Sequence, residues 1–188
     1  MKLRDKNPAL ILVDVQNAFL NEEYWGGNRN NKDAEIICGK ILNKWRELNL
    51  PVFHIRHSST NPKSLLHEQN PGFEFNKNVI PKNNEQVITK NVNSAFIETN
   101  LKEQLDQLNI TTVVIVGITT NHCVSTTTGM AGNYGYKTYL ISDATATFDR
   151  TGVNGEKFDS EIIHQTTLAN LNEEFATVFN SEKLMEEL

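Results

Sequence analysis

The stretch that most constrains the fold of this chain is residues 112–128, TTVVIVGITTNHCVSTT. Val113 to Val116, with Ile118 beyond, form a β-branched apolar run of the kind found in strands buried on both faces, and such strands need helices on either side of their sheet. Gly117 and a Thr/Asn cluster then break the run, so the chain leaves a strand, turns, and sets Cys123 at the head of the next segment. CVSTTTGMAGNYGY reads as a short helical segment, weakened at Gly129 and Gly132 by roughly 1 kcal/mol each relative to Ala. Near a helix N-terminus the partial positive charge favours thiolate over thiol, the setting a cysteine nucleophile needs. A free Cys is as often a small buried apolar residue. On this stretch alone both readings are open.

The other apolar runs fit the same sheet. Residues 9–15 read as a buried parallel strand with Asp14 at its C-terminal end, where a charge is costly unless it is used or paired. Residues 51–56, PVFHIR, read as a second strand and residues 86–89 as a third, closed by Lys90. Residues 137–142 make a fifth strand leading into Asp143-Ala-Thr-Ala-Thr, and residues 176–179 a short sixth.

Helical spacing fills the intervals. Ile37, Ile41, Trp45 and Leu48 mark a helix over residues 34–48, with Cys38 beside the stripe in the core. Asn100 and Glu103 form a capping-box signature for a helix carrying Leu101, Leu105 and Leu108. A helix over residues 160–171 turns Ile162, Ile163, Thr166 and Leu168 inward, and residues 182–188 make a terminal helix. The alternation predicts a doubly wound α/β sheet of six mostly parallel strands, helices on both faces, with right-handed crossovers.

In such sheets the binding crevice lies off the carboxyl ends of the strands, and Asp14, Lys90 and Cys123 each come directly after one. Residues 16–33 read as a polar loop carrying Phe19, Tyr24 and Trp25. Phe19, Trp25 and Phe148 are the candidate pocket walls, suited to a flat conjugated substrate, although aromatics here would also serve to cover the sheet edge. The long irregular stretch over residues 58–84 is expected to be a lid, a binding loop or an interface segment.

Composition narrows the function classes. With 188 residues and 38% apolar content the chain is expected to form a single domain over residues 1–188. A net charge of −5 and a pI near 5.6 argue against nucleic acid or an anionic membrane surface as partner, since either needs a basic face. The N-terminal apolar run is short, ends in Asp14 and has no small-residue cleavage site, and no stretch approaches the roughly 18 apolar residues of a membrane span. Two cysteines, Cys38 and Cys123, form no CxxC pair and suit a reducing cytosol, so a cytoplasmic location is expected.

Asp14 in LILVDVQNAF, Lys90 in VITKNVNSAF and Cys123 in VVIVGITTNHCVSTT resemble the three signatures of the isochorismatase-like cysteine hydrolases. The likeness continues through DATATF, from Asp143 to Phe148, and HQTTLANL, from His164. It implies a Rossmann-like three-layer sandwich with Asp14, Lys90 and Cys123 as a catalytic triad. It further implies a cis Ile118–Thr119 peptide, with the amides of Thr119 and Cys123 forming an oxyanion hole. A hydrolase of this kind cleaves a C–N bond in a small amide, ureido or carbamoyl compound through a thioester, requires no cofactor, and is commonly a homodimer or homotetramer.

The chain also departs from the family pattern. Members that hydrolyse nicotinamide carry an Asp-x-His element and a further His that bind a metal after the second strand; this chain reads His54-Ile-Arg-His57-Ser-Ser, with no Asp. Three positions apart on a strand, His54 and His57 face opposite sides, so no shared metal is expected. His122 and Cys123, adjacent where a helix begins, point about 100° apart, which suits a pocket-wall His better than a Cys–His dyad. Gly129 stands where relatives commonly carry Arg. Two alternatives remain: an isochorismatase-type enol ether hydrolase, although relatives with that activity usually lack the cysteine, and a non-catalytic small-molecule-binding or redox-sensing domain of the same fold.

Overall fold

Every residue of Ala9–Val13 (β1) and Thr112–Ile118 (β4) is buried, as two continuous apolar runs in the middle of a covered sheet require. The computed structural model describes residues 2–188. The remaining strands are Val52–His57 (β2), Gln86–Lys90 (β3), Lys137–Ala146 (β5), Arg150–Thr151 (β6), Lys157–Phe158 (β7) and Thr177–Phe179 (β8). The helices are Glu22–Trp25 (α1), Ala34–Glu47 (α2), Leu101–Gln107 (α3), Ser125–Asn133 (α4), Ser160–Leu171 (α5) and Ser181–Glu187 (α6). Six strands form one sheet in the order β3-β2-β1-β4-β5-β8, and every pairing in it is parallel. Strands β6 and β7 form a separate antiparallel hairpin.

Alternation along β1 and β4 divides the interior into two layers. Ile11, Val13, Val113 and Ile115 face a core built with Leu101 and Leu105 of α3, Ala131 of α4, and Leu168 and Leu171 of α5. Leu10, Leu12, Val114 and Val116 face the opposite core, with Cys38, Ile41, Leu42 and Trp45 of α2 and Leu184 of α6. Each fully buried branched side chain contributes roughly 1.5–3 kcal/mol of transfer free energy, so the central strands fix which faces the helices cover. Trp45 satisfies its indole N–H by donating to Pro8 O at 2.9 Å. No helix among the described residues is long and apolar enough to cross a membrane.

The structure corrects several local expectations. Asn100 occupies the N-cap position of α3 but makes no side-chain cap bond: its ψ of 17° is not the extended conformation that capping needs, and Thr99 Oγ1 accepts from Leu101 N at 3.4 Å instead. On α5 the buried residues are Ser160, His164, Leu168 and Leu171, whereas Ile162 is 55% exposed. The helix turns the His face inward because His164 is hydrogen-bonded there, a preference that hydropathy alone does not register. Strand β5 runs on to Ala146, its register shifting against β4 between Ile115 and Gly117. Gly117 has φ +133°, and a Cβ there would lie 1.9 Å from Val13 O, so only glycine lets β4 approach β1 at this point. The polar loop over residues 16–33 contains a 3₁₀ turn, Asn17–Leu20, and the single helical turn α1.

Candidate active site

The strand order reverses between β1 and β4, opening a crevice at the carboxyl edge of the sheet. Asp14, the first residue beyond β1, has φ +52°, a left-handed conformation that a short polar side chain tolerates. Its N–H donates to Ile55 O at 2.9 Å and its carbonyl accepts from Gln16 N at 2.8 Å. Lys90 ends β3, in register with His57 at the end of β2. Lys90 Nζ donates to Asp14 Oδ2 at 2.7 Å, both side chains being fully buried, and to His57 Nδ1 at 3.1 Å. Asp14 Oδ1 is buried without a hydrogen-bond partner.

Cys123 enters from the other side, in the π-helical turn Thr120–Val124 that joins β4 to α4. It is 9% exposed, and its Sγ lies 3.8 Å from Asn93 Oδ1. Donor atoms of Asp14, His57 and Cys123 all lie within 4.8 Å of one another. The structure therefore brings Asp14, Lys90 and Cys123 together from three strand ends and adds His57 to the group.

Burial pushes the Cys123 thiol well above its ordinary range, Asp14 pushes it further, and Lys90 only partly opposes them. The expectation of a thiolate favoured by a helix N-terminus is thus corrected: desolvation outweighs the local dipole and the resting group is the thiol. For Lys90, burial by itself would lower the pKa, but Asp14 and Cys123 outweigh it and the net shift is upward. Lys90 is therefore an ammonium, so His57 Nδ1 accepts from it and the imidazole proton resides on Nε2. His57 is held below its ordinary value by burial first and by Lys90 second, with Asp14 opposing, and is neutral at pH 7.

Above this group lies a cavity of about 370 Å³. Phe19, Trp25 and Phe148 line it together, with ring centroids 4.8 Å apart for Phe19 and Trp25 and 6.4 Å for Trp25 and Phe148. The stretch over residues 58–84 supplies Ser59, Ser64 and Leu66 to the same wall. His122 lines the cavity as a wall residue, its Nδ1 3.0 Å from Thr119 Oγ1. The Ile118–Thr119 peptide is cis, and the Thr119 N–H at the cavity floor has no hydrogen-bond acceptor among the described residues.

Buried polar contacts hold these loops. Gln16 accepts from His57 N at 2.8 Å and donates to Phe73 O at 2.8 Å, clamping the end of β2. Asn31 Nδ2 donates to Ser142 O at 2.9 Å and Thr145 O at 2.7 Å, and Asn30 Oδ1 accepts from Thr147 N at 2.8 Å. Thr120 Oγ1 meets His164 Nδ1 at 2.9 Å, tying the nucleophile turn to α5.

Asp14, His57 and Cys123 could together offer three ligand atoms to a metal, but Lys90 already hydrogen-bonds two of the three side chains, so a cation there would have to displace an ammonium. His54 takes no part: it is buried on the opposite face of β2, with Nε2 2.8 Å from Glu85 Oε2. The paired-His metal arrangement of nicotinamide-hydrolysing members therefore has no counterpart at these two positions. A Cβ at Gly129 would meet nothing within 4 Å.

A scan against family models finds the isochorismatase domain over residues 8–183. The chain belongs to the isochorismatase family. An uncharacterised isochorismatase family protein of Bacillus subtilis, YrdC, is 50% identical over 181 residues, covering 96% of each chain. The crystal structure of an isochorismatase-family chain from Chromobacterium violaceum superposes with a TM-score of 0.94 at 36% identity, covering 100% of this chain and 96% of that one. Nicotinamidase 3 of Arabidopsis thaliana is 29% identical over 204 residues, covering 98% of this chain and 92% of its own. The chain is thus an isochorismatase-family hydrolase with the cysteine hydrolase fold.

Sequence reading weighed His57 only as a metal ligand and passed over Asn93 and Arg150; all three line the cavity. His57 carried a usable signal, because it too ends a strand that runs beside Asp14. Asn93 lies on a loop and Arg150 in the two-residue strand β6, and the course of both depends on contacts distant in sequence.

Proposed function

We propose that this chain is a cysteine hydrolase that cleaves the C–N bond of a small amide, ureido or carbamoyl compound through a thioester on Cys123. The observation that carries this is the divided carboxylate of Asp14: Oδ2 is held by Lys90, Oδ1 is buried and unpartnered, and the carboxylate lies within 4.8 Å of a thiol that burial keeps protonated. Such an oxygen is placed to take the thiol proton as Sγ attacks the substrate carbonyl. Lys90 remains an ammonium throughout and offsets the negative charge as it moves from carboxylate to sulfur.

The tetrahedral oxyanion forms beside the unpaired Thr119 N–H, and Cys123 N–H is its expected second donor. Each donor in comparable sites is worth about 3 kcal/mol. Protonated Asp14 returns its proton to the departing nitrogen as the C–N bond breaks, leaving the acyl group on sulfur. Water then attacks the thioester with Asp14 as base, releasing the carboxylic product and restoring the thiol. Similarity to a nicotinamidase supports an amide substrate, and the aromatic walls support a flat one. A redox sensor needs an accessible thiolate, and the raised Cys123 thiol counts against that alternative.

The test is ammonia release from a panel of primary amides and ureides by the wild-type and Cys123→Ala proteins. Activity on at least one compound that disappears in Cys123→Ala is expected; full retention in that variant would eliminate the proposal.

A further inference from the structure

The chain carries five arginines, and four are partnered. Arg29 makes a bidentate pair with Glu35 at 2.7 and 2.6 Å, and Arg46 one with Glu85 at 2.6 and 2.8 Å. Arg56 lies over the Phe73 ring at 4.5 Å and donates to Thr89 Oγ1 at 3.0 Å, while Arg4 lies 3.8 Å from Asp5. Arg150 pairs with no carboxylate and donates no side-chain hydrogen bond among the described residues, yet it lines the cavity above Cys123. No Asp or Glu lines that cavity, and both of its histidines are held below their ordinary pKa, so Arg150 is its charged group at neutral pH.

The hairpin that carries Arg150 is anchored. Its neighbour Asp149 accepts from Asn28 Nδ2 at 2.9 Å and Ser160 N at 2.8 Å, and the same Asn28 amide reaches Asp159 at 2.8 Å. Gly26, at φ +127°, lets the Asp149 carbonyl approach so closely that a Cβ would lie 2.4 Å from it. Arg150 itself is in register with Phe158 across the hairpin.

We propose that Arg150 is an anion subsite, and that the substrate is a carboxamide or ureide bearing a carboxylate at the end remote from the scissile bond. A guanidinium presents a planar fork that matches a carboxylate with two parallel hydrogen bonds. Arg150 is exposed at the cavity wall, and an unneutralised fork there, on a chain of net charge −5, is a local attraction for anions against the overall field. The charge is felt inside the cavity, since it lowers the His122 pKa, second to burial. The aromatic walls would hold the flat body between the two polar ends. This substrate class rests on the hydrolase reading above, whereas the subsite itself is a matter of binding and is tested as such.

The experiment uses three matched pairs, 4-carbamoylbenzoate, succinamate and 3-ureidopropionate, each against its methyl ester, titrated by calorimetry into Cys123→Ala protein so that nothing turns over. At least one acid is expected to bind about tenfold more tightly than its ester, ~1.4 kcal/mol, with the preference shrinking as salt is raised. Arg150→Gln in the same background should abolish the preference, so that each acid binds no more tightly than its ester. Esters that bind as tightly as the acids, no binding by any acid, or a preference that survives Arg150→Gln would each overturn the subsite. Ammonia release by the wild-type protein is scored separately. Anion binding without Cys123-dependent hydrolysis would count against the hydrolase reading alone, and hydrolysis indifferent to the carboxylate and to Arg150 would count against the subsite alone.

Discussion

Replacing either half of the Asp14–Lys90 pair leaves the other charge stranded in the protein interior. At 2.7 Å and an effective dielectric of about 20, the gross attraction is roughly 6 kcal/mol, most of which offsets the desolvation of two fully buried side chains. Removing one partner therefore costs about 3–5 kcal/mol, a large part of a typical domain's stability of roughly 5–15 kcal/mol. The two single variants should differ. In Asp14→Asn the Lys90 ammonium keeps the His57 Nδ1 acceptor at 3.1 Å, so the loss belongs at the low end, near ~3 kcal/mol. In Lys90→Met, Asp14 already has one unpaired oxygen and loses the partner of the other, so the loss belongs near ~5 kcal/mol. The double variant Asp14→Asn/Lys90→Met buries no net charge and should recover to within about 2 kcal/mol of wild type. Urea unfolding midpoints at pH 7 measure all four proteins. Ammonia release should stay down by at least ~10²-fold in every variant, the double included, because the proton acceptor is either replaced or deprived of the ammonium that offsets its charge. A Lys90→Met loss below about 1 kcal/mol, or a double variant as unstable as the sum of the singles, would refute a dry, mutually dependent pair.

Alkylation of Cys123 by iodoacetamide should accelerate steadily as pH is raised from 6 to 9, since burial and Asp14 raise the thiol pKa; a rate already on a plateau at pH 6 would contradict a protonated resting thiol. Gly117→Ala should destabilise by more than about 2 kcal/mol in urea unfolding, because the new methyl meets the Val13 carbonyl at 1.9 Å on a φ of +133°; a neutral result would mean the β1–β4 approach is looser than described. Stability should fall between pH 7 and pH 5. His54, His57, His122 and His164 are each lowered from 6.5, with burial the largest cause, so the unfolded chain binds protons there that the folded chain refuses. Glu85 contributes in a lower window. Burial would raise it, but Arg46, the Lys82 amide and His54 bring it down to about 2, so its contribution is lost only as pH falls from 4.5 toward that value. Urea midpoints independent of pH from 7 to 5 would sink the histidine assignment.

Much of this was readable from particular residues. The unbroken runs at β1 and β4, alternating with helical segments, announce a covered parallel sheet because helices on both sides hide both faces of a strand. Strand-end positions then make Asp14, Lys90 and Cys123 candidates, and the motifs around them carry the family resemblance that groups them. The misreadings share one cause. The α5 face and the Cys123 ionisation each obey local rules of hydropathy and dipole in the linear chain, and each was overridden by a contact or a burial that only the assembled chain supplies: His164 against Thr120, and the desolvated floor of the cavity. Gly117 looked like an ordinary strand breaker, and its necessity shows only against Val13 on the neighbouring strand.

By itself, then, the order of amino acids determined the layered sheet, the strand ends that bear reactive groups and the family they belong to, since periodicity and short motifs are properties of neighbours along the chain. Tertiary structure decided the rest: which carboxylate oxygen is free, where the sulfur's proton resides, that His57 joins Lys90 while His54 turns away, and that Arg150 stands alone over an aromatic cavity. Those are matters of distance and dielectric between residues as many as 131 positions apart, Phe19 and Arg150 among them, and such quantities exist only once the backbone has closed around them.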